Sequence, residues 1–86
     1  MPRISEFFGI VIAMYYNDHA PPHFHARYAG HEATFRLDTF AVLEGSLPRR
    51  AAGLVVEWAE SHRVELADDW DLARAGQPLN RIAPLE

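Results

Sequence analysis

Two six-residue runs, HFHARY and HEATFR, alternate side chains of opposite character with only Ala29-Gly30 between them, and no other feature narrows the fold as much. Alternation of this period is that of a pleated strand. A two-residue connection fixes which residue faces which. Tyr28 is then expected opposite His31, Arg27 opposite Glu32, Ala26 opposite Ala33, His25 opposite Thr34, Phe24 opposite Phe35 and His23 opposite Arg36. The pairs agree in chemistry, with aromatic against aromatic on one face and Arg against Glu on the other. Phe24, Ala26 and Tyr28 are expected to face the core. His23, His25 and Arg27 are expected to point away from it.

The rest of the chain is read around this hairpin. FFGIVIAMYY, Phe7 to Tyr16, is apolar on both alternating faces and is expected to be one buried strand over 7–16. It is too short to cross a membrane, and no small-residue cleavage site follows it. Pro21-Pro22 cannot donate ladder hydrogen bonds and separates this strand from the next. The second hairpin strand spans 31–38, and a short fourth strand is expected over 40–43. Ser46 can cap a helix over 47–66, with Pro48 in its first turn. Leu47, Ala51, Leu54, Val55, Trp58, Ala59 and Leu66 supply its apolar stripe, and His62 lies at its edge. A second, short helix is expected over 69–75, ended by Gly76 and Pro78. Residues 77–86 are then an extended tail that docks through Leu79, Ile82 and Leu85. The outcome is α+β: one domain over 1–86, with a small antiparallel sheet of three to four strands and one long and one short helix on one face.

An 86-residue chain has room for one core. It contains no cysteine, so disulfides and thiolate metal sites are excluded. Together these point to a cytoplasmic protein with no membrane attachment. The net charge is −4, and all eight basic residues are arginines. Residues 1–50 carry five Arg and five acids, whereas residues 51–86 carry three Arg and seven acids. A global basic footprint for nucleic acid is missing, so any phosphate site must be local.

Chemistry concentrates in NDHAPPHFHARY, where His19, His23 and His25 fall within seven residues. On one strand, His23 and His25 project from one face about 6–7 Å apart. Three readings follow. In the first, His23 and His25 act as general acid and base, and Arg27 and Arg36 grip a phosphate, which suffices for metal-independent RNA cleavage. In the second, His19, His23 and His25 ligate a divalent metal such as zinc, with Asp18 as a fourth ligand or an outer acceptor. Two guanidiniums beside the pair disfavour a cation unless acids answer the charge. In the third, the histidines are structural and the acidic second part docks a basic protein. Whether the protein is an enzyme stays open at this point.

Other features are plainer. His31 at the hairpin turn and His62 on the helix seam are expected to be structural, and Trp58 and Trp70 to be core. Arg49 and Arg50 oppose the helix dipole. They pair with Glu44, face water, extend the positive patch or contact an acidic partner. Asp68, Asp69 and Asp71 read as a helix N-terminal preference and not as an EF-hand.

The segments ISEFFGIVIAMYYNDHAPPHFHARY, LEGSLPRRA, VVEWAESHRVEL and WDLARAGQPLNRIAPLE resemble a family of short bacterial proteins called domain of unknown function 4160. Its most specific part is Asp18-His19-x-Pro21-Pro22-His23-x-His25. The resemblance implies no settled activity. It does imply a small protein partner encoded nearby, in a toxin–antitoxin-like pair.

Overall fold

The computed structural model describes residues 2–86. Five strands precede two helices: β1 Arg3–Phe7, β2 Ile10–Ala13, β3 His23–Tyr28, β4 His31–Arg36, β5 Val42–Ser46, α1 Arg49–Glu60 and α2 Arg63–Arg74. The strands form one antiparallel meander in the order β1-β2-β3-β4-β5. The α+β class holds, with one strand more than the upper expectation.

The β3–β4 register matches the expected one at all six pairs. Ala29 and Gly30 both take positive φ, 48° and 83°, which is the twist that suits a two-residue hairpin. Across this ladder the rings of Phe24 and Phe35 stack at 5.4 Å.

The single strand expected over 7–16 is instead two. Phe8 (φ 50°) and Gly9 (φ 78°) make a second tight turn, pairing Phe7 with Ile10. An unbroken apolar run carries no period, so the alternation that exposed one hairpin was silent for the other. The fourth strand is also displaced, from 40–43 to Val42–Ser46. Ser46 therefore ends β5, and Pro48 occupies the N-cap of α1 without a side-chain cap.

The boundary between the two helices lies at Ser61-His62 and not between 66 and 69: the helix expected over 47–66 stops at Glu60, the one expected over 69–75 starts already at Arg63, and Asp68, Asp69 and Asp71 therefore sit inside α2 and not at its N-terminus. No Gly or Pro marks that break. Gly76 (φ 70°) closes α2 with Gln77 N–H donating to the Leu72 carbonyl (2.9 Å) and Gly76 N–H to Ala73 (3.2 Å).

The core lies between the sheet and both helices, with Ala51, Val55, Trp58 and Ala59 from α1, Leu66 and Trp70 from α2 and Ile82 from the tail. Trp58 is fully buried, tilted on Phe7 at 5.4 Å and edge-on to Phe24 at 6.0 Å. Truncating such a ring costs about 3–5 kcal/mol, a large share of the stability of a small domain. The extended tail docks as expected. Ile82 is buried, its N–H donates to the Ile4 carbonyl on β1 (2.7 Å), and Trp58 Nε1 donates to the Ala83 carbonyl (2.8 Å). Among the described residues no helix is long and apolar enough to cross a membrane.

Candidate functional site

The meander gives the sheet two unlike ends. Both tight turns, at 8–9 and 29–30, lie at one end; the longer β2–β3 and β4–β5 connections lie at the other. At that loop end Asn17 takes φ 59°, a conformation asparagine tolerates, and Asp18 follows it. The Ala20–Pro21 peptide is cis, and the Pro22 carbonyl accepts from Leu37 N–H (3.0 Å), so β3 starts from a tethered point.

These constraints bring Asp18 to the histidines. Its Oδ2 lies 2.9 Å from His23 Nε2 and 3.0 Å from His25 Nε2. The two imidazole rings stand side by side with centroids 5.2 Å apart. One expectation needs correction, because His23 does not face water. It alternates away from Phe24, yet its side chain is only 3% exposed. Trp70 of α2 covers it, with ring centroids 5.4 Å apart. Tyr15 meets His25 edge-on at 4.3 Å.

The other ring nitrogens are also engaged. His23 Nδ1 lies 2.7 Å from the Pro21 carbonyl oxygen, and His25 Nδ1 lies 3.4 Å from Glu32 Oε2. A carbonyl only accepts, so His23 must donate from Nδ1. A neutral imidazole has one N–H, which leaves a lone pair on Nε2 aimed at a carboxylate oxygen. Two acceptors at 2.9 Å need positive charge between them, supplied by a second ring proton or by a cation. His25 repeats the arrangement between Glu32 and Asp18 with a longer outer contact.

Burial by itself would raise the Asp18 carboxyl. The hydrogen bond from His25, the charge of His23 and the His19 backbone N–H outweigh it, and the carboxyl is held below its ordinary value. His19 is bound to the same aspartate by its N–H (3.0 Å) and Nδ1 (3.2 Å) through Oδ1. Its ring is 76% exposed and stays outside the compact donor group. That group is Asp18, His23 and His25, whose ligand atoms lie within 4.8 Å of one another.

The two arginines expected to hold phosphate stand on carboxylates. Arg36 holds Asp38 through two 2.9 Å contacts and, chiefly by hydrogen bonding, keeps that exposed carboxyl down at about 2. Arg27 lies 3.6 Å from Glu32. Glu32 thus serves His25 as well as Arg27, a double role that sequence reasoning missed. The hairpin register carried the signal, since it puts Glu32 diagonal to His25. The Pro21 carbonyl and the Trp70 cover left no comparable trace, because neither follows from strand pairing.

The profile of a family described as "Domain of unknown function (DUF4160)" matches residues 9–71, a span that runs from the first turn through the histidines to α2. No curated protein and no solved structure matches the chain significantly.

Proposed function

We propose, for a chain that belongs to this family of unknown function and takes no chemistry from its name, that Asp18, His23 and His25 hold one divalent transition-metal ion, with zinc the best chemical match. The observation that supports this most is the tautomer of His23. Its Nδ1–H is committed to the Pro21 carbonyl at 2.7 Å, so the free lone pair on Nε2 faces the Asp18 carboxylate. Metal-ligating histidines commonly donate one ring N–H outward to a carbonyl or carboxylate and ligate through the other nitrogen. Both rings here follow that rule, His23 to Pro21 and His25 to Glu32. Both rings are preoriented by these contacts, His23 buried and His25 partly so, which removes much of the ordering cost of binding.

The dimensions suit the ion. Tetrahedral ligands at zinc distances lie about 3.3 Å apart, close to the nitrogen–oxygen separations of 2.9 and 3.0 Å. Two imidazoles and one carboxylate leave at least one coordination position open. An open position is where such an ion polarises a substrate or water. On this reading His19, held by the other carboxylate oxygen, would have to swing in from solvent to fill that position.

Support is thinner for phosphodiester cleavage by His23 and His25, because His23 is buried and both Arg27 and Arg36 stand on carboxylates. Elemental analysis of tag-free protein from metal-replete cells tests the metal reading. About one ion per chain is expected, retained through gel filtration and lost in His23→Ala and in His25→Ala. Metal-free protein that also fails to take up added zinc overturns it.

A further inference from the structure

We propose that the opposite, turn end of the sheet docks an acidic, apolar-anchored peptide segment of a partner protein. This surface is independent of the metal reading, since it shares no residue with Asp18, His23 or His25.

Three unfavourable features converge there. Phe8 occupies the first position of the β1–β2 turn at φ 50°, where a side chain like asparagine fits more readily than a bulky ring. It is nevertheless 61% exposed. Arg49 and Arg50 open α1, where the helix end is already electropositive and no acid lies in the first turn. Both are exposed, and among the described residues no carboxylate pairs with either. Between the turn and the helix runs a groove of about 280 Å³, lined by Phe8, Ile10, Tyr28, Ala51, Leu54 and Arg50. Within the chain Phe8 meets only the edge of Phe7, at 6.4 Å among the described ring contacts, and most of its ring stays exposed, which a bound segment would cover. Such a segment also fills the apolar trough and brings carboxylates to the arginines.

The character of the occupant follows. The groove lining is mainly apolar, with one cationic side chain, and the whole chain carries a net charge of −4. A polyanion such as nucleic acid would meet that overall charge with little local compensation. A segment with an aliphatic side chain flanked by Glu or Asp meets the trough and the arginine pair together.

The probe is a synthetic peptide of repeated Glu-Glu-Leu-Leu blocks, with its Gln-for-Glu analogue and a thymidine oligonucleotide as controls. Binding to the intact 15N-labelled protein is followed by amide shifts. Saturable shifts at Phe8, Arg50 and Leu54 are expected with the acidic peptide, at least tenfold weaker with the Gln analogue. Phe8→Asn suits the turn better than the native residue and so keeps the fold. It should weaken peptide binding at least tenfold while leaving the melting temperature unchanged or higher. The double variant Arg49→Ala with Arg50→Ala should weaken it similarly. Shifts confined to other surfaces, none up to about 1 mM peptide, unchanged binding by Phe8→Asn, or tighter binding of the oligonucleotide would each overturn the proposal.

Discussion

The two ends of the sheet differ in how their unusual residues are held. At the loop end, Asp18, His23 and His25 are tied to each other and to main chain, and Trp70 screens His23 from water. At the turn end, Phe8, Arg49 and Arg50 are exposed, Phe8 meeting only the edge of Phe7 among the described ring contacts. Polar groups gathered inside are costly unless each has a counterpart, so their close arrangement bears on the protein's own stability. Solvated residues impose smaller costs and can be changed with little harm to the fold. The contrast therefore predicts large effects at one end and small ones at the other.

The largest belongs to Asp18→Ala. It deprives His23 and His25 of their shared acceptor and should cost about 3 kcal/mol in urea unfolding of metal-free protein. A loss below about 1 kcal/mol would mean that the cluster behaves like a surface ion pair and would collapse the distinction. Gly45→Ala comes next. Gly45 (φ 73°) pairs with Ala33, and an added Cβ would strike the Glu32 carbonyl oxygen of the neighbouring strand. A cost of about 2 kcal/mol is expected from backbone strain, with faster hydrogen exchange in β5 as the signature.

Acidity offers a third test, in which two carboxyls of the same protein act with opposite signs. Asp18 is held below its ordinary value of 3.8, so its share of stability is present above that value and fades as pH falls through the folded pKa. Asp69 is fully buried, with Oδ1 accepting from Asn80 N–H (2.9 Å) and Oδ2 without a partner among the described residues. Burial raises its carboxyl above 3.8, so between that value and the folded pKa the native state binds more protons than the unfolded one. Stability from this group accordingly falls as pH rises through that window, then levels off. Asp69→Asn keeps the Asn80 acceptor without the buried charge and should stabilise the protein by about 1 kcal/mol at neutral pH. Equal stabilities of the two proteins from pH 3 to pH 8 would contradict this.

The smallest effect is expected for Phe8→Asn, a gain of about 0.5 kcal/mol from relief of an unfavourable turn residue. Destabilisation of that size or more would show that the ring packs usefully where it is.

Legibility in the sequence followed the same physical lines. The β3–β4 hairpin could be read to the residue because alternation and turn length constrain one register. The β1–β2 hairpin could not, since Phe7 to Tyr16 is apolar on every face; only Gly9 hinted at a turn. The break between the helices is likewise invisible locally. His62 and Arg63 interrupt no propensity, and the bend comes from packing, with His62 against Trp58 at 5.4 Å and Arg63 over the Phe40 ring at 4.3 Å. For the candidate site, the neighbourhood of His23 and His25 was readable from period two. The nearness of Asp18 depended on how a proline-bearing loop closes, and the screening of His23 depended on a helix far along the chain.

The tail that runs back to β1 has a consequence for self-association. Ile82 already occupies a carbonyl on that outer strand, whereas β5, with Val42 and Leu43 exposed, offers the free margin of the sheet. A strand adding to β1 must displace that contact, whereas the β5 margin presents its exposed apolar side chains directly. Accidental strand-to-strand contact between copies should therefore begin at β5.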